Sequence, residues 1–127
     1  MVVHLTGRVC EMDKIIKISN KYKIPIIEDC SQSAGAKYKY LKLGSIGTFG
    51  CFSFFPTKNL SSFGDGGLIS TNNIKFAKKI ISLREYGWDN KRDSKYFGKN
   101  SRLDEIHASI LNSISSTFRR IRLSTPN

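Results

Sequence analysis

The chain of 127 residues lacks the features that define several common classes of protein. Its three cysteines, Cys10, Cys30 and Cys51, are odd in number and have no metal-ligand spacing, so they predict neither a disulfide framework nor a zinc site. No apolar run is long enough to cross a membrane. The first residues also lack the charged region and long apolar stretch of a signal peptide. We therefore expect a cytoplasmic protein without a membrane segment or a bound metal.

Acidic residues are scarce as well: 10 Asp and Glu stand against 21 Lys and Arg, which gives a formal net charge of +11. A basic chain raises the possibility of nucleic-acid binding. No zinc-finger, helix-turn-helix or RNP pattern appears, however, and the basic residues are spread along two amphipathic stretches at spacings that place them on the outward side. These residues are Lys14, Lys17, Lys21, Lys23, Lys75, Lys78 and Lys79. We expect no nucleic-acid partner, and a basic binding protein is a distant alternative.

Strand-like and helix-like patterns alternate along the chain, which predicts an α/β fold. We expect strands near residues 2–5, 24–28, 49–54 and 68–71, and a hairpin or loop over 37–42. Helices are predicted over 12–22, after a cap at Asn72 or Asn73, and after a cap at Ser101. The second helix should direct inward the residues Ile74, Ala77, Ile80 and Ile81.

The most informative segment is Cys-Phe-Ser-Phe-Phe-Pro-Thr-Lys-Asn-Leu over residues 51–60, followed by Gly-Asp-Gly-Gly over 64–67. An apolar strand ends at Pro56 and presents Lys58, and the glycines allow a ligand to approach the backbone closely. A desolvated lysine favours its neutral amine, which is a nucleophile toward carbonyls. The alternative is a surface lysine beside a turn.

Two further segments favour the functional interpretation of Lys58. An apolar strand ends at Asp29 and is followed three residues later by Gln32, and ligands of open α/β sheets gather at the carboxyl ends of strands. Downstream, the residues Gly-Lys-Asn-Ser-Arg-Leu-Asp-Glu-Ile over 98–106 open a helical pattern.

Taken together, in their order along the chain, the three segments resemble the DegT/DnrJ/EryC1/StrS family of pyridoxal-phosphate-dependent sugar aminotransferases, over about residues 3–112. The resemblance extends to His-Leu-Thr-Gly at 4–7, Met-Asp at 12–13 and Leu-Arg-Glu-Tyr-Gly at 83–87. It implies part of a type I aminotransferase large domain, a mixed sheet with flanking helices, over residues 1–114. Residues 115–127 no longer resemble the family, and we expect them to be a divergent, unstructured basic tail.

The resemblance implies a role for five residues in binding pyridoxal 5'-phosphate. Lys58 matches the lysine that bonds to the cofactor, Asp29 the partner of its pyridine nitrogen, and Gln32 the residue lying against its ring. Ser53 matches a phosphate-binding serine, and Asn100 the asparagine that reaches the phosphate in the neighbouring subunit, which implies a homodimer. Simpler roles remain open: a helix cap for Asp29, an ordinary strand serine for Ser53 and a loop turn for Asn100.

The resemblance further implies amino transfer to a nucleotide-linked keto-sugar, with an amino acid such as glutamate as donor, in amino-sugar biosynthesis for a surface polysaccharide or secondary metabolite. Lys58 favours transfer over dehydration, because dehydrating relatives carry histidine at that position. Family members are several times bulkier, so we expect a fragment, as a truncated or frameshifted reading frame would produce. The alternative to an active enzyme is a truncated, non-catalytic remnant. The sugar and the aminated carbon are not encoded in these segments.

Overall fold

The computed structural model describes residues 1–124, with side chains described up to residue 117. The strands of two small sheets are interspersed with three helices along the chain. The elements are β1 (Val2–Val3), a 3-10 turn (Leu5–Gly7), α1 (Met12–Tyr22), β2 (Ile27–Asp29), β3 (Lys37–Tyr38), β4 (Leu41–Lys42), β5 (Phe49–Ser53), β6 (Gly67–Ser70), α2 (Ile74–Leu83) and α3 (Glu105–Ser124).

The main sheet has the order β1-β2-β5-β6 and is mixed. Strand β2 runs parallel to both β1 and β5, with Asp29 opposite Val3 on one side and Cys51 on the other. Strand β6 is antiparallel to β5 and pairs Gly67 with Ser53. The expected mixed α/β sheet with flanking helices is therefore confirmed, and β3 and β4 form the predicted short hairpin.

Helix α1 spans the predicted residues and ends in a left-handed residue. Lys23 has a φ of 54° and donates its N–H to the carbonyl of Asn20, while the N–H of Ile24 donates to the carbonyl of Ser19. This is the hydrogen-bond pattern of a Schellman motif, here closed by lysine instead of glycine. The strand after it begins at Ile27, three residues later than predicted, because Pro25 has no N–H to offer a sheet.

Helix α2 begins at the predicted cap, since the Asn73 side chain accepts hydrogen bonds from the N–H groups of Lys75 and Phe76. Its expected inward face is only partly covered: Ile74 is 69% exposed and Ile81 is 55% exposed. Helix α3 begins at Glu105, and the N–H of Ala108 donates to the carbonyl of Asp104, so the predicted cap at Ser101 is wrong.

Helix α3 also continues past residue 114, where we expected regular structure to end. It reaches Ser124, so the expectation of an unstructured tail is wrong for residues 115–124, and residues 125–127 lie outside the described part of the chain. The buried apolar side chains come from two helices and from the segments next to the strands. They are Met12, Ile26, Cys30, Ala34, Leu43, Phe54 and Leu111.

Candidate functional site

Asp29 lies at the carboxyl end of β2, as the sequence predicts, and its side chain is half-buried. The N–H of Ser31 donates to Asp29 Oδ1 at 3.0 Å. Hydrogen bonding from Ser31 is the largest cause that holds the pKa of Asp29 below its ordinary value, and the positive charge of Lys58 adds to the effect. Asp29 is therefore ionised at neutral pH.

Lys58 lies in a loop that leaves β5 and returns to β6. The ends of this loop are tied together, because the N–H of Phe54 donates to the carbonyl of Gly66 and the N–H of Ser62 donates to the carbonyl of Phe54. Within it, the N–H of Lys58 donates to the carbonyl of Phe55, which closes a tight turn around Pro56. Lys58 is half-buried at the same end of the sheet as Asp29.

A cavity of about 260 Å³ opens beside this lysine. Its lining residues are Thr6, Gln32, Thr57, Lys58 and Asn59. The Gln32 side chain is held in place by a hydrogen bond from the N–H of Thr6 to Gln32 Oε1 at 3.0 Å, and Asn59 Nδ2 donates to the carbonyl of Ala34 at 3.1 Å. Three segments distant in sequence thus meet here, and two of the predicted site residues share the cavity.

Asp29, Ser53 and Asn100 do not line this cavity. Ser53 ends β5, and its Oγ accepts a hydrogen bond from the N–H of Phe55 at 3.3 Å, which leaves the hydroxyl proton available to a ligand. Asn100 is exposed, pairs with Glu85 in an isolated bridge, and accepts a hydrogen bond from Arg102 Nε on its side-chain oxygen. Both residues therefore keep donors free among the described contacts, and their roles toward a phosphate stay predictions.

The glycine loop is packed against the start of α3. A methyl group on Gly64 would lie 2.9 Å from His107 Cε1, and one on Gly66 would lie 2.9 Å from Leu103 Cδ1. The ring of His107 thus packs against the glycine loop. A side chain at either glycine would therefore displace the side chain of Leu103 or His107.

Sequence reasoning missed a buried polar cluster behind the site. His4 and Glu28 are fully buried and hydrogen-bonded to each other, and Cys30 is buried beside them. A strand alternates its side chains between two faces, so the burial of Ile26 could have placed Glu28 on the inward face and Asp29 on the other.

The ligand atoms of His4, Glu28 and Cys30 all lie within 4.8 Å of one another, which is a spacing that suits a metal ion. Both oxygens of Glu28 and both ring nitrogens of His4 are already engaged with protein donors and acceptors. The pKa of the Cys30 thiol is raised to about 12, mainly by burial and secondly by the charge of Glu28. Because Glu28 and His4 already use their ligand atoms within the chain, the cluster has the character of a structural hydrogen-bond network.

A second, larger cavity of about 420 Å³ lies between the end of β6 and the start of α2. It contains no titratable side chain and none of the predicted site residues; its lining is Gly47, Thr48, Thr71, Asn72, Asn73, Ile74 and Phe76. The chemistry is therefore concentrated at the smaller cavity. Among the described residues, no helix has both the length and the apolar character needed to cross a membrane.

Comparison with known proteins agrees with this fold. The chain is 47% identical over 111 residues to dTDP-3-amino-3,6-dideoxy-alpha-D-galactopyranose transaminase of Aneurinibacillus thermoaerophilus, covering 87% of this chain and 31% of the relative. A DegT DnrJ EryC1 StrS aminotransferase from Brucella abortus superposes with a TM-score of 0.90 at 34% identity, over 93% of this chain and 32% of that one. NtdA from Bacillus subtilis, solved with the bound cofactor PMP, superposes with a TM-score of 0.74 at 34% identity, over 86% of this chain and 25% of its own.

The chain spans about 30% of the length of the relatives that it matches. Within that span the agreement is continuous: the sequence profile described as the DegT/DnrJ/EryC1/StrS aminotransferase family matches residues 1–121, past the point near residue 112 where we expected the likeness to end. The chain belongs to the DegT/DnrJ/EryC1/StrS aminotransferase family.

Proposed function

We propose that this chain forms the cofactor-binding part of a pyridoxal-phosphate-dependent aminotransferase that aminates a nucleotide-linked keto-sugar. The observation that carries the proposal is the half-buried Lys58, which borders a cavity and whose charge acts on the ionised Asp29. The substrate class is supported by the name of the relative from Aneurinibacillus, a dTDP-sugar transaminase, and the cofactor by the PMP bound in NtdA.

The residues present fit the proposed cofactor. Pyridoxal phosphate requires a primary amine for its aldehyde, an anion for its pyridine nitrogen and hydrogen-bond donors for its phosphate. Lys58 supplies the amine and Asp29 the anion, and Ser53 has a hydroxyl proton free to donate. Gln32, held by Thr6, supplies a polar side chain at the cavity.

Each residue then has a distinct task in the reaction. When bound, the cofactor would supply an aldehyde carbon that can carry an amino group and an electron-withdrawing ring that stabilises negative charge on the reacting carbon. Lys58 Nζ would hold the cofactor covalently, and its amine would afterwards move a proton between the reacting carbons as a general base and acid. The carboxylate of Asp29 would keep the ring nitrogen protonated. Glutamate is the proposed amino donor.

We further propose that the full-length protein is a homodimer with shared sites. Asn100 is exposed and lies outside the Lys58 cavity of its own chain. Its side-chain amide retains free donors among the described contacts, which suits a phosphate held by a neighbouring subunit.

Trapping the cofactor on one lysine tests the proposal. The full-length protein is loaded with pyridoxal phosphate, reduced with borohydride and digested, and we expect one modified peptide, the one that contains Lys58. Lys58→Ala should abolish both this adduct and the visible absorbance of the lysine-bound cofactor. Lys78→Ala, on the exposed side of α2, is the matched control and should change neither.

The substrate class is tested by adding glutamate and either a dTDP- or a UDP-linked 3-keto-sugar, and detecting the amino sugar by mass spectrometry. Amino-sugar formation that disappears in Lys58→Ala supports the proposal. Cofactor bound at Lys58 without transfer to either sugar favours the non-catalytic remnant instead. An adduct spread over many lysines, and retained in Lys58→Ala, overturns the assignment of this site.

A further inference from the structure

Glu28 is a fully buried carboxylate that accepts four hydrogen bonds. Its Oε1 accepts from the N–H groups of Ile46 at 2.9 Å and Gly47 at 2.6 Å. Its Oε2 accepts from the N–H of Gly44 at 2.9 Å and from His4 Nε2 at 3.3 Å. A buried carboxylate is stable only when its oxygens are paired in this way, so the arrangement of its four partners is strongly specified.

The hydrogen bonds of His4 fix its tautomer. The N–H of Cys10 donates to His4 Nδ1 at 3.2 Å, so Nδ1 carries no proton and Nε2 is the nitrogen that donates to Glu28. His4 is itself fully buried, and both of its nitrogens are engaged. Glu28 therefore favours the one neutral tautomer of His4 in which Nδ1 can accept the hydrogen bond from the N–H of Cys10.

This contact closes the segment between residues 4 and 10 into a loop. The loop contains the 3-10 turn, in which Thr6 has a φ of 51° and the N–H of Arg8 donates to the carbonyl of Leu5. The N–H of Thr6 points outward to Gln32 Oε1, and both residues line the cavity beside Lys58. A positive φ at threonine is unfavourable in a free chain, so the turn depends on the anchors at its ends.

We propose that Glu28 and His4 are positioning residues, which set the Thr6 turn and through it hold Gln32 at the mouth of the Lys58 cavity. Neither residue lines the cavity, and Glu28 points to the face of β2 opposite Asp29. They act on a ligand only through the turn. The identity of that ligand as pyridoxal phosphate rests on the proposed function, whereas the link from Glu28 to Thr6 rests on the contacts alone.

Glu28→Gln is the sharpest probe because it keeps the size and shape of the side chain. One acceptor oxygen becomes an NH2 group. In place of Oε1 it faces the N–H groups of Ile46 and Gly47, and in place of Oε2 it faces the N–H of Gly44 and the protonated Nε2 of His4. In either orientation two donors lose the acceptor that Glu28 offers, so the anchor that holds His4 is disrupted.

Two substitutions of His4 separate its two contacts. In His4→Asn the side-chain oxygen can take the place of Nδ1 and accept from Cys10, while the bond to Glu28 is lost. In His4→Gln the side-chain nitrogen can take the place of Nε2 and donate to Glu28, while the bond to Cys10 is lost. The proposal requires that His4→Asn preserves the Thr6 turn better than His4→Gln.

The experiment uses the full-length protein and two readouts. Hydrogen exchange of the peptide over residues 3–12 reports the Thr6 and Cys10 amides without any ligand. Titration with pyridoxal phosphate, followed by the visible band of the lysine-bound cofactor, gives its dissociation constant. We expect Glu28→Gln and His4→Gln to speed the exchange and to weaken cofactor binding by about tenfold, the effect of losing one buried hydrogen bond. For His4→Asn, the exchange rate and the dissociation constant should lie between those of these two variants and those of the wild type.

Glu11→Gln is the matched control, because Glu11 lies in the same peptide but forms an exposed ion pair with Lys14. It should change neither readout. Folded variants of Glu28 and His4 whose exchange and cofactor affinity stay within about twofold of the wild type overturn the proposal. So does an equal loss in His4→Asn and His4→Gln that follows only their unfolding temperatures. If Glu28→Gln does not fold, the two His4 variants decide.

Failure of the proposed function has a different signature. A wild-type protein that never shows the visible band, nor an adduct on Lys58, refutes the cofactor assignment. Hydrogen exchange at Thr6 and Cys10 would still show, in that case, whether Glu28 and His4 hold the turn.

Discussion

The polar network around Glu28 is complete within this chain, whereas the outer faces of α2 and α3 are left uncovered by it. Glu28 and His4 are fully buried, and every side-chain oxygen and nitrogen in the pair has a partner within the chain. On the helices, in contrast, Ile74 and Ile106 are 69% and 74% exposed. The polar contacts that shape the site are thus local to this chain, whereas much of its apolar surface still lacks a cover.

Breaking the Glu28 network should give the largest loss of stability. Glu28→Leu leaves the buried N–H of Gly44 and the part-buried N–H groups of Ile46 and Gly47 without their acceptor, and each buried unpaired group costs about 1–3 kcal/mol. We expect the free energy of unfolding in urea to fall by at least about 3 kcal/mol, or the protein to fail to fold. Glu11→Leu, at an exposed ion pair, should cost less than about 1 kcal/mol. Similar losses in both variants would contradict the comparison.

Removing the charge of Asp29 should affect chemistry more than binding. In Asp29→Asn the side chain keeps its shape but no longer favours a protonated ring nitrogen, so we expect amino transfer by the full-length protein to fall more than about tenfold. The dissociation constant of pyridoxal phosphate should change less than the rate does. Parallel losses in rate and affinity would show that Asp29 only holds the cofactor.

The pH dependence of Asp29 sharpens the same point. Its pKa lies below the ordinary value, so its contribution to stability is complete above that ordinary value and is lost as the pH falls through the lower, folded pKa. Asp29→Asn should therefore remove part of the loss of stability in acid. Near neutral pH, at roughly 6 to 8, the variant should show the same pH dependence of stability as the wild type. Unfolding curves collected across the acidic range measure the difference.

The exposed apolar residues predict association of the chain when it is expressed alone. Strand β6 presents Leu68 and Ile69, which are about half exposed, on an edge that carries no charged residue, and the helices add Ile74 and Ile106. We expect the 127-residue chain to be oligomeric or poorly soluble in light-scattering measurements. Ile74→Gln with Ile106→Gln should shift it toward the monomer while changing the unfolding free energy by less than about 0.5 kcal/mol per site. A monodisperse wild-type monomer with a sharp melt would contradict this.

The sequence predicted the parts of the site that depend on local order. Asp29 and Lys58 follow apolar strands, and strand ends are where open sheets bind ligands, so their placement at one edge could be expected from the pattern. Helix α1 and the hairpin over residues 37–42 follow from periodicity and turn composition in the same way.

The parts that were missed depend on contacts between distant segments. His4 and Glu28 are 24 residues apart, and neither residue alone differs from an ordinary strand-end histidine or acid. The hydrogen bond from Thr6 to Gln32 spans 26 residues. It also needs a positive φ at Thr6, which is not expected of a threonine. Likewise, α3 begins at Glu105 and not after Ser101, because the N–H of Ser101 donates to the carbonyl of Arg84 and holds that residue in the preceding loop.

The smallest expected effect concerns the three thiols, and it measures how closed the interior beside Glu28 is. Cys30 is fully buried, and burial first, then the charge of Glu28, raise its pKa to about 12, so at pH 8 nearly all of these thiols are protonated. Burial also raises the pKa of Cys51, while Cys10 is half-buried and directs its Sγ toward the carbonyl of Val3. We expect iodoacetamide to modify Cys10 first and Cys30 last in the native protein, with the rates becoming equal in urea. In Glu28→Gln the labelling of Cys30 should rise only modestly, because the larger cause, burial, remains. Native labelling of Cys30 as fast as that of Cys10 would show that the cluster is open to solvent, and the contrast between a closed polar interior and an uncovered apolar exterior would then be wrong.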